Sequence, residues 1–259
     1  MMTFETIRYD VADDIVTITL NRPAVMNGLN AQMRIELLQA LRQAPENGRV
    51  LVMTGEGRAF CSGQDLGDQA AFTAREIERT LREEYEPLLR AIYECPIPTI
   101  AAVNGTAAGA GANLALAADV VIAAQSAVFI QAFARIGLIP DAGGTYWLPR
   151  QVGFAKAMGA ALFADKISAE QAERWGMIWE VVPDEDFSSH IAVRAAHLAK
   201  GPTQTYHHLK QALRASFDND LDTQLRLEAE LQGKACQTHD FAEGVAAFHE
   251  KRPPAFKGR

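Results

Sequence analysis

Residues 99–114 read TIAAVNGTAAGAGANL and contain the pattern that decides the fold class. Thr99–Val103 is a short apolar run after Pro98, which predicts a buried strand, and a helix is expected to start at Leu114. The small residues between strand and helix leave backbone N–H groups exposed. Such groups at a helix N-terminus stabilise an anion, so the stretch indicates either a binding loop of an α/β protein or close packing of helix on sheet.

This glycine-rich stretch does not fit a dinucleotide-binding fingerprint. The motif GxGxxG that begins at Gly109 would require its third glycine at position 114, which is Leu114. In addition, no acidic residue ends a second strand at the distance that a ribose contact needs. We therefore do not expect a nicotinamide or flavin cofactor here.

Strand and helix patterns alternate along the rest of the chain. Up to about residue 150 the predicted elements are strands at Phe4–Tyr9, Ile15–Leu20, Val50–Met53 and Val120–Ala123, and helices at Leu29–Gln43 and 73–94. Beyond that point helices dominate, at 153–163, 168–174, 188–199, 203–215, 220–235 and Phe241–Lys251. We predict an α/β core over residues 1–200 and a helical region over residues 201–259 that packs on this core or on a neighbouring subunit.

Composition limits the functional classes. The chain has 259 residues, 48% of them hydrophobic, and a formal net charge of −7, which exclude disorder and argue against a nucleic-acid backbone binder. Its three cysteines lie far apart without a CxxC motif, and we expect no disulfide framework and no metal site. We find no signal peptide and no membrane span, so a cytoplasmic protein is expected.

Two further segments carry candidate chemistry. Residues 57–66 read GRAFCSGQDL and follow a predicted strand, so this loop and the one after Val103 could each aim one N–H group at a shared point, as in an oxyanion hole. Asp65 is interpreted as a turn or cap residue. Residues 137–145 read GLIPDAGGT, where Asp141 is either a helix N-cap or a buried proton carrier whose apolar neighbours raise its pKa.

These three segments, in this order, resemble the crotonase superfamily of enoyl-CoA hydratases and isomerases. The resemblance runs from Asn21-Arg22-Pro23 to Glu250-Lys251-Arg252. It implies an α/β fold, a spiral of ββα units with a helical C-terminal trimerisation region. It also implies an acyl-CoA thioester substrate, no separate cofactor, and assembly as a homotrimer or a dimer of trimers. The oxyanion hole would consist of the backbone N–H groups of Gln64 and Ala110.

The resemblance further implies where CoA and the acyl group bind. The CoA and substrate residues by this comparison are Val25, Ser62, Asp65, Leu66, Phe248 and Lys251, the last two reaching the CoA of a neighbouring subunit. Ala24 stands where the family often has a lysine, so one phosphate contact is missing or replaced. Lys251-Arg252 could instead be a solvated helix end. Tyr85, Leu88 and Phe133 are expected to line the acyl pocket.

The two acids of the family's hydratases are missing. They would stand at Asn113 and Phe133, neither of which can act as a general base. Asp141 remains as the single candidate catalytic carboxylate. One base that removes a proton from one carbon and returns it to another is what an isomerase needs, whereas a nucleophilic Asp141 would indicate a dehalogenase.

Residues 62–66, 137–141 and 168–179, the last with Trp175-Gly176-Met177-Ile178-Trp179, are similar to isomerases of phenylacetate breakdown. Those enzymes convert ring-1,2-epoxyphenylacetyl-CoA to oxepin-CoA and shift double bonds of enoyl-CoA thioesters. The resemblance implies the same activity here. The alternatives are a fatty-acid Δ3,Δ2-enoyl-CoA isomerase and a non-catalytic RNA-binding relative, the latter disfavoured by the acidic charge.

Overall fold

Two sheets form the centre of the protein in a computed structural model, which describes residues 4–68 and 73–259. In the described residues the larger sheet has the order β1-β2-β3-β5-β7-β10 and the smaller one the order β4-β6-β8-β9. The strands are β1 (Ile7–Ala12), β2 (Ile15–Leu20), β3 (Val50–Gly55), β4 (Ala59–Cys61), β5 (Thr99–Val103), β6 (Thr106–Ala108), β7 (Val120–Ala124), β8 (Val128–Ile130), β9 (Ile167–Ser168) and β10 (Glu180–Val182). Only β1 with β2 and β8 with β9 pair antiparallel among these strands.

Helices pack around the sheets and also make up most of the C-terminal part of the described chain. They are α1 (Ala31–Asn47), α2 (Ala74–Thr80), α3 (Glu86–Tyr93), α4 (Ala110–Leu116), α5 (Gly144–Val152), α6 (Phe154–Phe163), α7 (Ala169–Arg174), α8 (Phe187–Ala199), α9 (Thr203–Ala215), α10 (Leu221–Cys236) and α11 (His239–Glu250). A π-helical turn, Leu81–Tyr85, joins α2 to α3. Thr73 caps α2 and forms a capping box with Glu76. No helix within the described ranges is long and apolar enough to cross a bilayer.

The ββα repeat predicted for the first two-thirds of the chain is confirmed. In three repeats the first strand joins the larger sheet and the second joins the smaller one, as β3 and β4, β5 and β6, and β7 and β8 do, whereas β1 and β2 both lie in the larger sheet. Because β4, β6 and β8 are parallel neighbours, the loops that follow them leave the same edge of the smaller sheet. This edge carries all three segments singled out from the sequence.

Several predicted boundaries are wrong for identifiable reasons. The turn between β1 and β2 needs only Asp13 and Asp14, both with positive φ, so Ala12 still pairs with Ile15 and β1 lies later than predicted. Helix α4 begins at Ala110, not at Leu114, because small residues carry no periodic pattern that could mark a start. Pro45 lies inside the last turns of α1 and does not end it.

A buried lysine attaches the C-terminal helices to the core of their own chain. The Nζ of Lys210, on α9, donates to the carbonyl oxygens of Cys95 at 2.6 Å and Ile97 at 2.8 Å, and lies 2.7 Å from a carboxylate oxygen of Asp119. Arg214, one turn further along α9, pairs with the other oxygen of Asp119 at 2.6 Å. Helix α9 therefore packs on the core, while its opposite face stays exposed.

Candidate active site

Two loops at the edge of the smaller sheet come into backbone contact at Gly63. Its φ is +93°, and a Cβ there would lie 2.7 Å from the carbonyl oxygen of Ala108 and 3.2 Å from the nitrogen of Ala110. A side chain would have to push the two loops apart, and the left-handed φ adds strain for any other residue. Glycine at position 63 thus places the loop after β4 directly against the start of α4.

This contact places two free N–H donors on one cavity. The N–H of Leu29 donates to the carbonyl oxygen of Gly63 at 2.8 Å, and the carbonyl oxygen of Leu29 accepts from the N–H of Asp65 at 3.2 Å. The N–H of Gln64, which lies between these two residues, therefore points away from Leu29. Ala110 is the first residue of α4 and has no acceptor within its helix. Among residues 4–68 and 73–259, neither N–H finds a hydrogen-bond acceptor, and both residues line the same cavity.

The side chain of Gln64 is held from behind. Its Oε1 accepts a hydrogen bond from the buried guanidinium of Arg34 at 3.0 Å and another from the hydroxyl of Tyr85. Arg34 also pairs with Glu84 at 2.7 Å. Glu84 and Tyr85 both belong to the π-helical turn, a feature that often marks functional sites. This network fixes the residue that carries one of the two donors.

The cavity has a volume of about 270 Å³ and is mainly apolar. It is lined by Ser62, Gly63, Gln64, Leu66, Ile77, Thr80, Leu81, Tyr85, Gly109, Ala110, Ala132, Phe133, Arg135, Ile136, Leu138 and Asp141. Tyr85 and Phe133 therefore line it as expected, whereas Leu88 is fully buried in the core and does not reach it. An apolar cavity with a few polar groups is typical of a small-molecule site.

Asp141 projects into this cavity and does not cap a helix. The N-cap of α5 is Gly143, with no side-chain hydrogen bond, so the interpretation of Asp141 as an N-cap is wrong. The Oδ1 of Asp141 is buried and has no hydrogen-bond partner among the described residues. Desolvation by burial raises the pKa of this carboxyl to about 6, against a smaller lowering by its own backbone N–H, and the rise is in the predicted direction. Among the lining residues that the structure describes, Tyr85 and Arg135 are the other titratable side chains.

The two positions at which hydratases carry acids point in different directions. Phe133 presents its ring to the cavity. Asn113 is completely buried and does not line the cavity. Its Nδ2 donates to the backbone oxygen of Asp141 at 2.7 Å, and its Oδ1 accepts from Gln131 at 2.8 Å. Neither position offers a proton-transfer group to a molecule in the cavity.

The residues expected to bind CoA divide into two groups. Ser62 and Leu66 line the cavity mouth, and a Cβ on Gly28 would lie 3.4 Å from atoms of Val25, Ser62 and Asp65, so these three residues surround one point. Asp65 pairs with Arg22 at 2.8 Å, and this hydrogen bond lowers the pKa of its carboxyl, in line with a turn residue and not a base.

Phe248 and Lys251 form the second group. Phe248 lies on α11 with 80% of its surface exposed, and Lys251 ends that helix. Neither of them lines the cavity of its own chain.

Sequence reasoning missed Arg34 and Gln131. Arg34 shares the buried face of α1 with Leu37 and Leu41. A basic residue among the apolar positions of a helix is unusual and could have indicated a buried functional contact. Gln131 follows a three-residue strand, and nothing in its neighbourhood along the chain indicates that it contacts Asn113.

Residues 10–259 match the protein family described as enoyl-CoA hydratase/isomerase. The chain is 64% identical over 258 residues to a "Probable enoyl-CoA hydratase" of Rhodobacter capsulatus, with complete coverage of both proteins. It is 46% identical over 260 residues to the 1,2-epoxyphenylacetyl-CoA isomerase of Escherichia coli, covering 98% of this chain and 99% of that protein. The crystal structure of an enoyl-CoA hydratase from Bacillus anthracis superposes with a TM-score of 0.94 at 34% identity, covering 98% of this chain and 100% of that one.

The raised pKa of Asp141 predicts a pH-dependent stability. Because the folded cavity favours the protonated carboxyl, the native protein binds this proton more tightly than the unfolded chain does between the ordinary value of 3.8 and about 6. The stabilisation is therefore complete below the unfolded pKa and is lost as pH rises through the folded pKa. We expect Asp141→Asn to gain on the order of 2 kcal/mol of unfolding free energy relative to wild type between about pH 4 and about pH 7.

Urea denaturation at several pH values measures this difference. Asp165→Asn is the matched control, since Asp165 is exposed and makes no hydrogen bond among the described residues. Its difference from wild type at each pH gives the baseline for an aspartate-to-asparagine change outside the cavity. A difference for Asp141→Asn that does not vary with pH relative to this baseline would mean that this carboxyl is not held in an apolar setting.

Proposed function

The chain belongs to the enoyl-CoA hydratase/isomerase family and is an enzyme that acts on CoA thioesters; within this family we propose that it is an acyl-CoA isomerase. The observation that carries the proposal is that, among the described residues of the cavity lining, Asp141 supplies the one carboxylate beside two free backbone N–H donors. We propose ring-1,2-epoxyphenylacetyl-CoA as the substrate and oxepin-CoA as the product, with double-bond shifts of enoyl-CoA thioesters as a second activity. The similarity to the Escherichia coli isomerase supports this choice.

The proposed mechanism divides the work between backbone and side chain. The thioester oxygen accepts hydrogen bonds from the N–H groups of Gln64 and Ala110. When a proton leaves the carbon beside the thioester, the negative charge moves to this oxygen and forms an enolate. One such donor is worth roughly 3–4 kcal/mol in a protease where it was removed. Two donors that are already in place need no rearrangement as the charge develops.

Asp141 would carry the proton. For a 3-enoyl thioester its carboxylate takes the proton from C2, the double bond moves to C2–C3, and the same carboxyl returns the proton to C4. Substrate and product are isomers, so no water, oxidant or reductant enters. A carboxyl with a pKa near neutrality suits both halves of this transfer, since it neither holds the proton too tightly nor releases it too easily. For the ring epoxide, the ring C–C bond shared with the epoxide opens while both C–O bonds stay, and the carboxyl would move a proton from the carbon beside the thioester to a ring carbon, so that substrate and product are again isomers.

The cavity lining argues against hydration despite the name of the Rhodobacter relative. Addition of water across a double bond needs groups that activate and orient the water. Asn113 is turned away from the cavity, and Phe133 fills the other position with an apolar ring. Isomerisation with one carboxylate uses what the site contains.

We expect hydration of crotonyl-CoA to be at least ~100-fold slower than isomerisation of a matched 3-enoyl-CoA, because general acid–base groups contribute ~10²–10⁴-fold and both are absent. Purified protein should be assayed in parallel on the ring-epoxide, 3-enoyl and 2-enoyl thioesters. Hydration at the rate of isomerisation would overturn the proposal. Turnover of the linear 3-enoyl substrate alone would identify a fatty-acid isomerase instead.

Asp141→Asn should abolish isomerisation and leave acyl-CoA binding within a few-fold of wild type. Asparagine has nearly the same shape but carries no proton between carbons, so the loss should be at least ~10²-fold, while the backbone donors remain. Turnover and calorimetric binding of a substrate analogue are compared with those of Asp165→Asn, which should behave as wild type. More than about a tenth of wild-type turnover in Asp141→Asn would place the base elsewhere.

We propose that the protein is a homotrimer or a dimer of trimers. An apolar face on α9 and α10 stays exposed in the single chain, formed by Leu209, Leu213, Phe217, Leu221 and Leu225, each more than half exposed. A patch of this kind is typical of an interface. Association would bring Phe248 and Lys251 to a neighbour's CoA. Light scattering at micromolar concentration should give a multiple of three chains, and a monomer would contradict this.

A further inference from the structure

We propose that Asn113 is a positioning residue for Asp141: its side-chain amide donates a hydrogen bond to the backbone carbonyl of Asp141 and so fixes the carboxylate relative to the two N–H donors. This inference rests on the proposed function for its catalytic consequence, but its structural part stands on contacts in the chain. Asn113 would touch no substrate atom. It would act through the place and surroundings that it gives to Asp141.

The contact is short, buried and specific. The Nδ2 of Asn113 donates to the backbone oxygen of Asp141 at 2.7 Å, and none of the surface of Asn113 is exposed to solvent. Only an N–H or O–H donor can serve there, because the partner is a carbonyl oxygen. The Asp141 carbonyl also accepts from the N–H of Gly144 at 2.8 Å, so the amide is one of its two donors, and a single hydrogen bond of this kind contributes about 0.5–1.5 kcal/mol net.

The segment held by Asn113 would not keep this shape by itself. Ala142, directly after Asp141, has a φ of +47°, and Gly143 has a φ of +79°. Two consecutive left-handed residues, one of them not glycine, are costly and need support from their surroundings. The amide of Asn113 supplies that support on one side of the turn, and the N–H of Gly144, which donates to the same Asp141 carbonyl at 2.8 Å, supplies it on the other.

Close packing prevents the amide from moving elsewhere. A Cβ on Gly144 would lie 2.4 Å from the Nδ2 of Asn113, so the start of α5 passes directly over this side chain. From the other side, the Nε2 of Gln131 donates to the Oδ1 of Asn113 at 2.8 Å. Because the Asp141 carbonyl can only accept, the NH₂ end of Asn113 must face it, and the Oδ1 end is then the acceptor for Gln131.

One turn of α4 connects the hydrogen bond between Asn113 and Asp141 to the oxyanion donors. Ala110 and Asn113 both lie in the first turn of α4, where the N–H of Asn113 donates to Gly109 at 3.2 Å. The backbone of Ala110 supplies one N–H donor, and the side chain of Asn113 fixes the acid–base residue. A rigid turn thus sets the spacing between the thioester oxygen and the carboxylate, and a misplacement of about 1 Å can cost ~10²-fold in rate.

The test replaces the donor and keeps the fold. Asn113→Asp has the same shape and still accepts from Gln131, but sets an oxygen against the Asp141 carbonyl; Asn113→Ala removes the amide altogether. We expect both to lower kcat at least ~10-fold and up to ~100-fold with KM within about threefold, because the thioester-binding donors stay in place. In Asn113→Ala the pH midpoint of kcat/KM should shift downward, since a displaced Asp141 becomes better solvated, whereas the second carboxyl in Asn113→Asp opposes that shift.

Asn104→Ala is the matched control. The Nδ2 of Asn104 donates to the carbonyl of Gly57 at 2.9 Å, so this variant also loses a loop-holding amide, but outside the cavity. It should lose stability while keeping wild-type kcat and the wild-type pH profile. A loss of kcat in Asn113→Ala no larger than in Asn104→Ala would reduce Asn113 to a purely structural residue and overturn the proposal.

A readout without substrate separates this inference from the proposed function. The titration of Asp141 is measured from the pH dependence of the unfolding free energy. Asn113→Ala is compared with a double variant that also carries Asp141→Asn. The pKa of Asp141 in Asn113→Ala should lie closer to the ordinary aspartate range than it does in wild type. An unchanged titration would overturn the inference even if the enzyme is an isomerase. A shifted titration in a protein that turns over none of the tested thioesters would support the inference and refute the proposed function. New hydration of crotonyl-CoA by Asn113→Asp would show that position 113 faces the substrate and would also overturn the inference.

Discussion

The absence of a side chain at Gly63 is the constraint on which the site depends. With hydrogen in place of a methyl group, the loop after β4 lies against Ala108 and Ala110, at a separation that would leave a Cβ only 2.7 Å from a carbonyl oxygen. This approach places the N–H of Gln64 beside that of Ala110 on one cavity wall. Every other part of the site is arranged around this pair: Arg34 and Tyr85 secure Gln64 from behind, and α4 extends from Ala110 toward the segment that carries Asp141.

The sequence predicts the alternation of strands and helices well because this alternation is local. Runs such as Ile15–Leu20 and Thr99–Val103 carry their own pattern, and the structure has both at the predicted bounds. The errors fall where no local pattern exists. Alanine and glycine fit a loop, a strand or a buried helix equally well, so the start of α4 was placed one turn too late. The short strand β9 pairs with β8, and β10 pairs with β7. Nothing in the local sequence of β9 or β10 predicts these partners.

The sequence predicts which residues belong to the candidate site, but it does not predict how their side chains are oriented. Strand ends and glycines indicate two loops that share a site, the family resemblance implies Gln64 and Ala110 within them, and Asp141 is an isolated acid in an apolar stretch; the structure gathers all three around one cavity. The direction of the Asn113 side chain could not be foreseen. It depends on Gln131 after β8 and on the turn before α5, both distant in sequence. Sequence reasoning could state which chemistry Asn113 lacks, but not which backbone group it holds.

Desolvation of the Asp141 carboxyl links its pKa to the proposed choice of reaction. Phe133 and Leu138 line the cavity with apolar surface, and the Oδ1 of Asp141 is left without a hydrogen-bond partner in the described structure. The same desolvation penalises the charged carboxylate and raises its pKa to about 6. A site that hydrates a double bond has to admit and orient water, which would solvate this carboxylate and lower its pKa again. A site that only moves a proton within the substrate benefits from keeping water out, because a proton held by the carboxyl is then returned to carbon and not lost to solvent. The apolar lining that tunes the acid therefore also favours isomerisation over hydration.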